Sequence, residues 1–231
     1  MPRSPDPTRN RLIAAGERLF AERGVDNVSL REITRASGSR NVVALQHHFV
    51  DRDGLLQAIV SKHHRRVDAR RNQMLDDYVA SNKSDLRALS AALVDPFAAC
   101  LLDDDGGRYY LQIFADLINR PRLDLWPELP DGEVDSLQRW RSLVDPFLSP
   151  AQRKLHRRFV ATLYVITDLA RWSRDTDEHD VDVIAASMTD VVESILKAHV
   201  SSNTRSALRA HQSRGGSDVR SPSPETWRAD R

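Results

Sequence analysis

Residues 8–59 read TRNRLIAAGERLFAERGVDNVSLREITRASGSRNVVALQHHFVDRDGLLQAI. Leu12, Ile13, Gly16, Leu19 and Phe20 recur at the i, i+3/i+4, i+7 intervals of an amphipathic helix, which Gly24 ends. Ser29 opens a second helix, because Glu32 stands three positions later. The hydroxyl accepts from the Glu32 N–H while the carboxylate reaches back to the Ser29 N–H, a capping box. Ser37, Gly38 and Ser39 favour turns, so this helix lasts only about eight residues. Arg40 to His48 then reads as a further short helix, with Val43, Leu45 and Phe49 turned to the core.

Two short helices joined by a glycine-containing turn, with a third bracing them, make a helix-turn-helix layout, whose second helix enters the DNA major groove. The same residues resemble a known family. LFAERG at Leu19 to Gly24, VSLREI at Val28 to Ile33, and HHF followed by an acidic-basic-acidic helix start at His47 to Asp53 are similar to the amino-terminal domain of TetR/AcrR transcriptional regulators. The resemblance covers about 50 of 231 residues. The turn departs from the usual Gly-Val-Ser-x-Gly and reads GSRNVVALQ, an RN-x-x-AL variant, and Gln46 and His47 replace an aromatic residue common there.

On this reading Arg40, Asn41, Val42 and Val43 face base edges, where Arg suits guanine, Asn suits adenine and an apolar group suits the thymine methyl. Gln46 reaches a base or a phosphate, and Ser29, His47 and Arg52 are placed for phosphate. Charge follows the same division. Residues 1–75 carry 14 Lys and Arg against 8 Asp and Glu, whereas residues 76–200 carry 14 against 22, within a net charge of +1. A basic end attracts a phosphate backbone and an acidic remainder stays off it.

The length suits a reading head at 8–54 and a larger helical domain at 55–200, so the expected fold class is all-α. A helix from about Asp53 to Val79 links the two. Further helices are predicted from Ser84 to Leu102 with a kink at Pro96, from Gly106 to Pro121, from Asp131 to Leu148, from Ser149 to Arg174, and from Asp180 to His199. From Ser201 onward Ser, Arg, Gly and Pro dominate and aliphatic residues thin out, so 201–231 reads as a disordered tail, either solubilising or in loose contact with DNA.

Phe159, Leu163, Ile166 and Ala170 share one face of the penultimate predicted helix, and Ile184, Met188, Val191 and Ile195 one face of the last. Such faces either pack inside the domain or build a four-helix bundle between two copies; the resemblance favours a homodimer, which would present two recognition helices to a palindromic operator. Phe97, Cys100, Tyr110, Phe114, Trp126, Trp140 and Tyr164 gather where the family holds an inducer chamber, which implies a lipophilic or aromatic effector; ordinary core packing explains any one of them.

Catalysis finds no support. The chain has no G-x-S-x-G, GxGxxG or P-loop, and its single Cys100 has no adjacent base. The adjacent pair His63 and His64 lacks the i, i+4 spacing of a metal site and reads as solvated surface histidine. Asp103 to Asp105 read as a solvated helix end, and the acidic run Asp175 to Asp180 as a loop and helix start. No cofactor or metal is expected, and without an apolar run long enough to span a membrane, or a signal peptide, the expected location is the cytoplasm. The sequence therefore predicts a dimeric, DNA-binding repressor released by a small molecule; the alternative is a helical small-molecule-binding protein or enzyme without operator function.

Overall fold

In a computed structural model, residues 7–39, 48–118, 135–175, 177 and 179–213 are described. Among them are ten α-helices and no strand. The described residues are all-α, an amino-terminal group of helices with a larger helical domain behind it. Helix α1 spans Pro7–Arg23 and buries Leu12, Ile13, Gly16, Leu19 and Phe20, the stripe that the periodicity gives. Gly16 matters because a Cβ there would press on Ile59 at 3.1 Å and Leu55 at 3.2 Å; its absence lets the connecting helix lie close. Gly24 follows at φ +82°. Helix α2, Leu30–Ala36, carries the capping box: Ser29 Oγ accepts from the Glu32 N–H at 3.3 Å, and Ser29 N donates to Glu32 Oε2 at 2.9 Å.

Helix α3 runs Arg52–Ser81, thirty residues and about 45 Å long. Asp51 caps it by accepting from the Gly54 N–H at 2.8 Å, and Asn82 ends it in the left-handed conformation at φ 50°. Helix α4, Leu86–Ala98, is capped by Asp85, one residue beyond the expected Ser84, and gives way to a tight turn over Ala99–Leu102. Pro96 inside α4 has no N–H to offer the Ala92 carbonyl one turn back. That carbonyl accepts instead from Arg71 Nε at 3.2 Å.

Beyond these lie α5 at Gly107–Ile118, α6 at Ser136–Val144, α7 at Pro150–Lys154, α8 at Arg157–Trp172, α9 at Val181–Lys197 and α10 at Ser202–Ser213. Two expectations change. The single helix predicted from Ser149 to Arg174 is broken at His156, whose φ of 52° ends α7 and turns the chain before α8. Ser149 caps α7 and, with Gln152, forms a second capping box. The tail predicted to be disordered from Ser201 instead begins with a regular helix, α10, which follows a Ser201 hydroxyl accepting from the Thr204 N–H at 3.2 Å. The Gly and Pro behind the disordered reading stand after Ser213, whereas Ala and Arg within 202–213 are good helix formers.

The core of the larger domain is formed where α3, α4, α5, α6, α8 and α9 meet, around Phe97, Tyr110, Phe114, Trp140, Val165 and Val192. The reading head is not tethered through α3 alone, because α1 also packs against α5.

Candidate nucleic-acid interface

Of the residues expected on DNA, Arg40, Asn41, Val42, Val43, Gln46 and His47 lie outside the described residues. Ser29 and Arg52 flank them. The Ser29 hydroxyl donates to Glu32 Oε2 at 2.7 Å, so a phosphate contact through it would have to displace its own capping carboxylate. The cap also holds the Glu32 carboxyl below its ordinary range, through the Ser29 backbone and side-chain hydrogen bonds and the nearby Arg23. Arg52, in the first turn of α3, donates to the Val25 carbonyl at 3.5 Å and lies 3.8 Å from Asp26 Oδ1, a partly exposed tie between α3 and the turn before α2. Exposed Arg31 and Arg35 on α2 add positive charge that the spacing argument did not single out.

The first helix is joined to the larger domain by an ion cluster built on the buried Glu17. Glu17 on α1 is 2% exposed; His63 Nε2 lies 2.8 Å from its Oε1, and Lys62 Nζ donates to both of its oxygens at 3.1 and 3.4 Å. Lys62 also donates to the Asp105 carbonyl at 2.7 Å and carboxylate at 2.9 Å. Arg66 closes the cluster on Asp103 at 2.8 Å and Asp105 at 3.2 Å. Asp103 and Asp105 are therefore ion-paired to α3, not merely solvated. His63 and His64, expected on the surface, are buried at 1% and 3% exposure. Glu17 stands four residues after Ile13 and three before Phe20, on the apolar face of α1; a carboxylate in that register was the available signal for a buried partner.

Two turns further along α3 a second polar group is enclosed. Arg71 is fully buried, its guanidinium stacked 5.0 Å from the Phe97 ring, with Nη1 donating to Ser136 Oγ at 2.8 Å. Ser136 donates in turn to Asp68 Oδ1, and His64 Nδ1 meets the Tyr110 hydroxyl at 3.2 Å. Burial holds the His64 imidazole below its ordinary pKa despite Asp68 beside it, and pushes the Tyr110 phenol well above its own.

The residues expected around an effector converge on this group. Phe97, Tyr110, Phe114 and Trp140 are buried, with Phe97 and Phe114 stacked at 5.9 Å and Tyr110 and Phe114 at 5.4 Å. Trp140 Nε1 donates to the Leu89 carbonyl at 2.7 Å. Cys100 is buried near the end of α4, Tyr164 is partly buried on α8, and Trp126 lies outside the described residues. The faces expected between copies divide. Ile166, Ala170, Ile184 and Met188 are buried within the chain; Phe159, Leu163 and Ile195 are half-buried, and Val191 is exposed. The apolar stripe on each helix was read correctly, but most of it turns inward against α4 and α5. Among the described residues no helix is long and apolar enough to cross a membrane.

Residues 12–59 match the family model described as bacterial regulatory proteins, tetR family. The chain thus carries the amino-terminal domain of TetR-type transcription regulators, the class that its LFAERG, VSLREI and HHF segments resemble. The HTH-type transcriptional regulator UidR of Escherichia coli K12 is 34% identical over 64 residues, 28% of this chain and 32% of UidR. The chain therefore spans about a third of the length of the relatives it matches in this way. Among solved structures, NalD of Pseudomonas aeruginosa, the secondary repressor of the MexAB-OprM multidrug efflux pump, is similar over 81% of this chain and 96% of its own, at 21% identity and a TM-score of 0.44. Salmonella enterica GusR is similar over 84% of this chain and 96% of its own, at 17% identity and a TM-score of 0.46.

Proposed function

We propose that this chain is a dimeric transcription regulator, a repressor that binds a palindromic operator and leaves it when a small molecule occupies the larger domain. The observation that carries the reading is the TetR-type match over residues 12–59 together with the capped α2 and the basic amino-terminal end. Arg40, Asn41, Val42 and Val43 read bases in this proposal; Gln46, His47 and Arg52 hold phosphate or neighbouring bases. Two copies associate through the outer sides of α8 and α9, where Val160, Val183 and Val191 are exposed at 40%, 63% and 37% beside half-buried Phe159, Leu163 and Ile195. Exposed valines on two adjacent helices support this face over the buried stripe. The effector is held between α3, α4, α5 and α6, and its site is within the cytoplasm.

A mobility-shift titration on the DNA upstream of the chain's own coding region tests the reading. Specific retention is expected, with Asn41→Ala weakening it by about 1–3 kcal/mol while nonspecific DNA is held as before. Equal retention of all DNAs by the unaltered protein would reject operator reading, and sedimentation as a monomer at the binding concentration would reject the dimer.

A further inference from the structure

Helix α10 stands outside the packing that the rest of the chain shares. It is a regular helix over Ser202–Ser213, yet none of its residues is buried, and only Thr204, Leu208 and His211 on one side are half-covered. Its take-off is fixed: Val200 is buried, Gln152 Nε2 donates to the Leu196 and Ala198 carbonyls at 3.0 and 3.1 Å, and Arg205 donates to the Val200 carbonyl. A helix of twelve residues without a buried face is marginal in water, so it gains from a partner outside its own chain. The side turned away from Leu208 carries Ser202, Ser206, Arg209 and Ser213, small groups around one guanidinium, and α10 holds no acidic residue.

A groove of matching character runs between α4 and α9, with a volume of about 470 Å³. Its walls are alanine, with Ala88, Ala91 and Ala98 on α4 and Ala185 and Ala186 on α9. Small side chains on both surfaces let helix axes approach closely. Ala88 to Ala98 spans about 15 Å along α4, against about 18 Å for the whole of α10. Asp95 and Asp182 line the groove from opposite helices, and neither side chain has an ion pair or hydrogen bond among the described residues. Burial raises the Asp95 pKa, exposed Arg70 opposes and Asp182 adds, a balance that an incoming cation shifts toward the carboxylate. Arg87, also on the groove, is engaged with Asp190 and Glu193.

We propose that α10 is an exchanged arm: in the dimer each copy lays α10 into the groove between α4 and α9 of the other, bringing Arg209 to Asp95 and Asp182 of the partner subunit. The pinned take-off leaves α10 outside the groove of its own chain, whereas a second copy supplies the same helix from without. The charges of arm and groove are complementary, and α9 carries exposed Val183 and Val191 of the proposed subunit face. A reciprocal exchange also closes a twofold pair with no arm left over. The inference rests on the dimer reading above and adds to it a contact made by a segment that the sequence assigns to a tail.

The test is a disulfide trap in the full-length chain, where buried Cys100 stays out of the reaction. Ser206→Cys on α10 and Ala186→Cys in the groove are combined and oxidised with copper phenanthroline. A bridge between two chains, seen as a dimer on a non-reducing gel, is expected, and mixing the two single variants should give the same product. A bridge within one chain, seen as a monomer with both new thiols consumed, overturns the proposal. So does the absence of a bridge in a double variant whose circular dichroism matches the unaltered protein; should the double variant not fold, the mixed single variants decide. Arg209→Glu should raise the dimer dissociation constant about tenfold, since two symmetric contacts become repulsive, and adding Asp182→Arg should recover most of the loss. A dissociation constant that ignores Arg209→Glu overturns the arm. Sedimentation separates the failures: an unaltered protein that is a monomer loses the dimer reading and this inference together, whereas a dimer without the bridge loses only the arm.

Discussion

Helix α3 takes part in two ionic groups, one at a partly exposed seam and one enclosed. At the seam with α1, Glu17 has Lys62 on both oxygens and His63 on one of them, and Lys62 is itself shared with Asp105. Two turns on, Arg71 and Asp68 share Ser136, and His64 Nε2 lies 3.5 Å from Asp68 Oδ2. The first group joins two parts of the same chain, and His63 Nδ1 within it has no hydrogen bond, lying 3.5 Å from Asp103 Oδ2. The second lies wholly inside the larger domain.

Removing one member from each group separates the two cases. Asp68→Ala leaves the Arg71 guanidinium buried and without its carboxylate, and should lower unfolding free energy by about 3–5 kcal/mol. Glu17→Ala should lower it by about 1–3 kcal/mol, because Lys62 keeps Asp105 and is partly exposed. Urea unfolding of both variants checks the order, and a larger loss at Glu17 would invert the comparison.

Gly106 sharpens the seam. It sits at φ +93°, and a Cβ there would run into Glu17 Oε2. Gly106→Ala is expected to cost about 1–3 kcal/mol through backbone strain and displacement of Glu17. Restoring space with the double variant Gly106→Ala, Glu17→Asp should recover part of that loss; full additivity would mean that the two positions do not meet.

The smallest effect is a pH dependence. Burial depresses the His64 pKa in the folded protein, with Asp68 opposing, so the unfolded chain binds the extra proton more readily. Stability from this source is complete above the ordinary value of 6.5 and declines as pH falls below it. His64→Gln should flatten the decline between neutral and mildly acidic pH, measured as thermal midpoint against pH. An unchanged slope would mean that His64 is not the group titrating.

The amino-terminal helices were legible because their signals are local. The α1 stripe, the Ser29 and Glu32 pair and the Asp51 cap each depend on residues within one or two turns. The buried cluster was not legible, since Glu17 meets His63 across 46 positions and Arg71 meets Ser136 across 65, distances over which spacing says nothing. The adjacent histidines were misread for the same reason: their environment comes from α1 and α5, not from their neighbours in sequence. Pro96 was read as a kink, but the acceptor it releases became visible only with Arg71 placed against Ala92.

Cys100 is the only cysteine, and it is buried. Enclosure and the nearby Asp103 push its thiol up to about 12, so at neutral pH it stays protonated, and the thiolate is the form that maleimides and oxidants attack. The protein is thus a silent background for thiol chemistry. A single cysteine introduced at exposed Val79 can be labelled by itself, without first removing the native residue and disturbing the core around it.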